Sequence, residues 1–164
     1  MKRVFVLLIF LLLFLSLAHS QQQSTEVLSL NQKRLELQTR GMIVLGSWAL
    51  LNFGYSGYQL TQTTERRYYF HQMNIFWNLV NAGIATGGYL SAASGTADIT
   101  TVEALQEKQQ FGNVLLFNAG LDIAYVTAGF YLKERAKNVT KQKERFAGYG
   151  NSLILQGGFL FVFD

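Results

Sequence analysis

The chain has 164 residues, with 14 Lys and Arg against 10 Asp and Glu, 15 Gly, no Pro and no Cys. The lack of cysteine excludes a disulfide framework, a thiolate metal site and an iron–sulfur cluster, and two histidines, one of them (His19) in a segment that reads as a removed signal peptide, exclude a multi-His metal or bis-His haem site. Only 15% of residues are charged while 49% are hydrophobic, against roughly 25% charged in an ordinary soluble domain, and the length fits one domain.

In chain order, residues 1–20 read as a secretory signal peptide. Lys2 and Arg3 form a positive start, Val4 to Leu17 is apolar, and Ala18-His19-Ser20 places small residues at a cleavage site. Cleavage is expected between Ser20 and Gln21, with an uncleaved anchor as the alternative. Residues 21–40 form an outside N-terminal segment, partly helical. The remainder, 41–164, holds four nearly uncharged stretches: Gly41 to Leu60, Tyr68 to Ala97, Phe111 to Leu132 with Asp122 as its one charge, and Phe146 to Phe163. A bilayer-spanning helix needs about 20 mostly apolar residues. The expected architecture is therefore all-α, an integral membrane bundle of four transmembrane helices, with spans at about 41–60, 68–92, 111–132 and 146–163.

All 15 glycines fall inside the four stretches and none in the connections. A soluble bundle would pay about 1 kcal/mol for each glycine inside a helix, whereas membrane helices use small residues for close approach. An outer-membrane barrel would need alternating ten-residue segments, which Ala82 to Leu90 and Leu115 to Leu121 do not supply. Structureless connections are expected around 61–67, 93–100 and 136–142. Thr100-x-x-Glu103 is a capping-box pattern that opens a helix leading into the third span.

Charge sorts by connection. Eight basic residues (Arg66, Arg67 and six between Lys133 and Arg145) lie in the first and third connections, and Lys108 stands alone among the acidic residues of the second. By the positive-inside rule the mature N-terminus lies outside and the basic loop 133–145 inside. Six of the eight tyrosines fall at the inner interface. Removing Lys2 and Arg3 leaves 12 basic against 10 acidic residues, so no nucleic-acid partner is expected.

A polar layer is expected near the midplane. His71, Asn74, Asn78 and Asn81 fall within an arc of about 80° on the second helix, with Gly83, Gly87 and Ser91 on roughly the opposite side as a helix-packing stripe. Asn118, Asp122, Tyr125 and Gly129 share a face of the third helix, and Gly148, Ser152 and Gln156 a face of the fourth. Asn52, Asn78, Asn81, Asp122 and Gln156 each lie close to the midpoint of their spans, so Asp122 should face the interior. Two readings stay open for Asn52, Asn74, Asn78, Asn81, Asn118, Asp122 and Gln156: interhelical glue, or a ligand or proton site. His71 lies near the interface, about 15 Å from Asp122 along the normal by residue count, which argues against a catalytic dyad. No metal or cofactor is expected.

The strings Gly41-Met42-x-Val44-Leu45-Gly46-x-Trp48-Ala49, Tyr69-Phe70-His71-x-Met73-Asn74-x-x-Trp77-Asn78-x-Val80-Asn81, Leu116-Phe117-Asn118-Ala119-Gly120-Leu121-Asp122 and Leu155-Gln156-Gly157-Gly158-Phe159 resemble a family of uncharacterised bacterial multi-pass membrane proteins, a domain of unknown function, over residues 31–164. The resemblance implies a helical membrane bundle, in a bacterial inner membrane, and no catalytic assignment. Its members continue beyond the position of Asp164, so a truncated C-terminus is expected here, with the full length of the fourth helix left open. The function expected is a non-enzymatic structural or interaction protein in the lipid bilayer, with a homo-oligomer or membrane-protein partner. The alternative is a small transporter, channel subunit or proton- or ligand-binding protein centred on Asp122.

Overall fold

The computed structural model describes residues 2–96 and 99–164, with side chains from Thr25 onward. The expected signal peptide, 1–20, falls outside the residues whose side chains are described. Among the described residues there are four helices and no strand: α1 (Lys2–Leu60), α2 (Glu65–Ser94), α3 (Thr101–Lys137) and α4 (Lys143–Phe163). A proline-free chain has nothing to break a backbone ladder, and α1 runs through the segment preceding Gly41 without interruption.

Side-chain caps mark the end of α1 and the start of α3, while Thr64 and Gln142, before α2 and α4, make no side-chain cap bond. At the end of α1, the hydroxyls of Thr61 and Thr63 donate to the carbonyls of Tyr58 and Gln59, each at 2.8 Å. These hydroxyls reinforce carbonyls that already accept the backbone amides of Thr61 and Gln62 in the last turn. The expected capping box is present at α3: Thr100 Oγ1 accepts from the Glu103 amide, and the Glu103 carboxylate accepts from the Thr100 amide at 2.9 Å. Arg135 and Lys137 lie in the last turn of α3, where cations favour the negative end of the helix dipole.

The helices form a ring in the order α1, α2, α4, α3, and the α1–α3 side is the loosest. Directions follow from who meets whom. Asn31 reaches Thr96, and Ser56 meets His71, so α1 and α2 are antiparallel. Gly148 faces Phe70 while Gln156 reaches Asn74, so α2 and α4 run the same way. Gly150 faces Gly129 while Gly157 faces Asp122, so α3 and α4 are antiparallel.

Close approach depends on glycine at a few of these crossings. A Cβ on Gly148 would sit 2.5 Å from the Arg66 carbonyl oxygen, and one on Gly150 would sit 2.6 Å from the Gly129 carbonyl oxygen. Neither backbone atom can move aside without separating the helices. By contrast, a Cβ on Gly83 or Gly87 would meet nothing within 4 Å, and Gly83, Gly87 and Ser91 are all exposed. The small-residue stripe expected to pack α2 takes no part in packing within this chain. Gly129, Gly148, Gly150 and Gly157 do that work, all against α3–α4 or α2–α4 neighbours.

The distribution of side chains is inverted relative to a water-soluble domain. The largest fully buried side chains are Gln156, Asn74, Asn78, Ser56 and Ser152, whereas the buried apolar residues are mostly alanines. Large apolar side chains point outward from every helix: Leu50 and Leu51 on α1, Phe76 and Leu79 on α2, Leu116 and Phe117 on α3, Phe161 and Val162 on α4. In water, apolar residues dominate cores and amides stay outside.

Among the described residues two helices, α3 and α4, are long and apolar enough by composition to cross a membrane, where four spans were expected. The difference has a local cause. The interior faces of α1 and α2 carry Asn52, Ser56, His71, Asn74, Asn78 and Asn81, which lower the mean hydropathy of each helix without touching its outer face.

Candidate functional site

The polar side chains of α1, α2 and α4 converge on Asn74. Its Nδ2 donates to Asn52 Oδ1 and to Ser56 Oγ, both at 3.0 Å. Its Oδ1 accepts from Ser152 Oγ at 3.3 Å and from Gln156 Nε2. A carboxamide has two donor hydrogens and two acceptor lone pairs, so Asn74 is fully used. The network continues outward. Trp48 Nε1 donates to Gln156 Oε1 at 3.0 Å, while the Trp48 ring stacks on Phe159 with centroids 3.9 Å apart. Asn52 Nδ2 turns back to the Trp48 carbonyl at 2.9 Å. His71 Nδ1 lies 3.2 Å from Ser56 Oγ, and its ring meets Tyr55 and Phe70 edge-on. His71 thus belongs to the buried network and is 6% exposed, held between the helices.

The network links three helices that share no continuous backbone contact of this kind. Each bond replaces one that water would have made, so a network of this kind is stable only when complete. Ser56 and Trp48 are members the sequence reading does not nominate, and it places Ser152 on the Gln156 face without naming it a candidate. Their signal was spacing: Ser56 is four residues after Asn52, and Ser152 four before Gln156, so each pair lies on one helical face.

The remaining layer residues do not join it in the same way. Asn78 Nδ2 bonds the Asn74 carbonyl of its own helix at 2.7 Å, and its Oδ1 has no partner. Asn81 Nδ2, Trp77 Nε1 and Asp122 Oδ2 are also buried without a partner. Asp122 is 2% exposed and Asn81 3%. Asp122 lies beside Asp164 at the end of α4, and Asn118 is a neighbour of the same carboxyl. The layer expected at one depth is therefore two sites. One is a satisfied amide–hydroxyl network on α1, α2 and α4. The other is an acidic group on α3 and α4, unsatisfied and adjoining open space.

That space is a chamber of about 800 Å³. Its inner end holds Trp77, Asn81, Asn118, Asp122, Tyr125 and Asp164. Trp77 and Tyr125 meet edge-on with centroids 4.6 Å apart. At the other end Arg34 pairs with Glu107 at 3.3 Å. Leu, Ile, Val, Met and Phe side chains form most of the wall between.

The two histidine-free carboxyls and His71 are far apart. Phe70, next to His71, faces Gly148, and Asp122 faces Gly157. Nine residues of α4 separate those levels, about 14 Å at the helical rise. Among the described residues no group of three or more His, Cys, Asp or Glu is arranged to hold a metal ion.

Residues 44–164 match the model of a family of unknown function, DUF6992. No curated protein and no solved structure matches the chain.

Proposed function

The chain belongs to the DUF6992 family, and we propose that it is a non-enzymatic integral membrane protein whose four helices all cross the bilayer, locked by the network around Asn74. The inverted side-chain distribution carries this reading. Buried amides with exposed Leu, Phe and Val on all four helices match a bilayer solvent. There, association comes from close packing and interhelical hydrogen bonds, because lipid tails are as apolar as leucine. Two helices pass on composition alone; the outward faces of α1 and α2 supply the case for the other two. The tight Gly148 and Gly150 crossings fit the same picture.

The orientation follows from the connections. Arg66 pairs with Glu144 at 3.0 Å and Arg145 lies over the Tyr149 ring, so the two basic connections share one end of the bundle. Tyr55, Tyr58, Tyr68 and Tyr131 are exposed at that end, at the depth where tyrosine favours the headgroups. We place this end inside and Thr96 outside, in a bacterial inner membrane. The outward-facing Gly83, Gly87 and Ser91 leave α2 free to meet a second copy or another membrane protein.

The native chain has no cysteine, so single cysteines report topology without background. In intact cells, Thr96→Cys should react with a membrane-impermeant maleimide, and Thr140→Cys should react only after lysis. The protein should stay with the membrane in alkaline carbonate. Release by carbonate, or equal labelling of both positions in sealed cells, would overturn the proposal.

A second reading, a binding device centred on Asp122, is favoured by one observation: Asp122 is buried, stands outside the network around Asn74 and borders the chamber.

A further inference from the structure

We propose that the chamber beside Asp122 binds an organic ammonium ion carrying an apolar body. The inference deepens the second reading above and does not depend on how many helices cross a membrane.

The charge inventory of the chamber is unbalanced. It is lined by three carboxylates, Glu107, Asp122 and Asp164, and by one basic side chain, Arg34. Arg34 is engaged by Glu107 and by Asn31 Oδ1, the latter at 2.9 Å. It lies at the far end: Glu107 precedes Asp122 by fifteen residues of α3, about 22 Å at the helical rise. The inner end therefore holds two neighbouring carboxyls and no cation. The two carboxyls are joined by a hydrogen bond, and ionising both would set like charges together where burial removes the water that would screen them. A bound cation relieves both costs.

The surroundings favour an organic cation over a bare metal ion. Trp77 and Tyr125 border the same end, and aromatic faces attract ammonium groups. Only two carboxyls meet there, short of a metal-ligand cluster. Asn81 Nδ2 and Trp77 Nε1 are donors without acceptors, which suits a head group with an oxygen next to its ammonium. The volume lies within the range of small-molecule sites, about 300–1,000 Å³. The walls are mainly aliphatic, so the rest of the ligand is apolar. Val80, Ile84 and Val114 line the chamber and are each about half exposed, giving a lateral entrance for a molecule dissolved among lipid tails.

The test uses the purified full chain in a neutral glycoside detergent, titrated with dodecylammonium and read by native mass spectrometry. Dodecanol and dodecanoate serve as neutral and anionic probes of equal chain length. One dodecylammonium should bind per chain, at least about tenfold more tightly than either control, a difference of about 1.4 kcal/mol. Asp122→Asn and Asp164→Asn should each weaken it by a similar factor. Val114→Trp, which fills the chamber from its exposed wall, should abolish binding, and Leu51→Trp on the outer face of α1 should not. Equal affinity for dodecanol would overturn the proposal. So would binding within about threefold of wild type in the Val114→Trp variant or in both aspartate variants. Because the readout is in detergent, failure here leaves the topology result standing, and failure of the topology test leaves this one standing.

Discussion

Replacing Asn74 by alanine tests whether the polar network is what holds α1, α2 and α4 together. The side chain makes four interhelical hydrogen bonds, to Asn52, Ser56, Ser152 and Gln156. Asn78 is the matched control. It is equally buried and loses the same atoms on truncation, but it makes one bond, to the backbone of its own helix. The cost of the vacated volume therefore largely cancels between Asn74→Ala and Asn78→Ala. At about 0.6 kcal/mol per side-chain bond in a membrane helix bundle, the four bonds sum to about 2.4 kcal/mol and the single bond to about 0.6, a difference of about 1.8 kcal/mol. The sum is a lower bound, because Asn52 Oδ1 is left without a donor in the alanine variant and an orphaned buried acceptor costs more than the bond it made. Unfolding each variant in mixed micelles, by titrating an anionic detergent into a neutral one, gives the two free energies. A difference below about 0.5 kcal/mol, the usual scatter of such additive comparisons, would refute the reasoning. The tight junction at Asn74 would then be packing in which the hydrogen bonds contribute nothing beyond their volume.

The glycine crossings give a second contrast. Gly148→Ala should destabilise the bundle by about 1–3 kcal/mol, as overpacking does, because its Cβ meets the Arg66 carbonyl at 2.5 Å. Gly83→Ala should leave stability within about 0.5 kcal/mol, since nothing lies within 4 Å of that position; the same micelle titration reads both. The capping box, which precedes the proposed third span, should titrate. Hydrogen bonds from the Thr100 backbone and hydroxyl hold the Glu103 carboxyl below its ordinary value of 4.5. A depressed folded-state value means that the cap contributes above 4.5 and is lost as pH falls through the folded value. The exchange protection factor of the Thr100 amide, which donates to that carboxylate, should therefore fall on acidification past that point. In Glu103→Gln, whose carboxamide oxygen can still accept the Thr100 amide but does not titrate, it should be independent of pH; a protection factor that stays flat in the native chain would refute the assignment.

How the polar residues divide shows where sequence reasoning stops. Period and depth placed Asn52, Asn74, Asn78, Asn81, Asp122 and Gln156 near one level facing inward, and the burial of Asn74, Asn78, Asn81, Asp122 and Gln156 agrees. Nothing in that pattern separates Asn74, with all its hydrogen-bonding capacity used, from Asn81, whose amide has no acceptor. The two lie seven residues apart on the same face, and their different fates depend on whether a neighbouring helix offers a matching group. Ser152 and Gln156 of α4 stand beside the first, and the open chamber borders the second. His71 illustrates the same point. Nothing in its position three residues into its span names the partner, Ser56 of α1, that it meets between the helices.

The sequence by itself determined the helices and their ends. Absence of proline, hydroxyl caps and the Thr100–Glu103 box act within a few residues of chain, so local chemistry suffices. It also determined which residues are polar against an apolar ground, and how charge divides between the connections. Only the tertiary structure decided which glycines pack. Gly83 and Gly87 carry a regular spacing but face outward, while Gly148 and Gly150 sit where another backbone passes within reach of a Cβ. It alone decided that α2 runs beside α4 rather than α3, and hence that Asn74 is satisfied while Asp122 faces a chamber. These outcomes depend on contacts between residues some 80 positions apart, which helical periodicity within one segment does not encode.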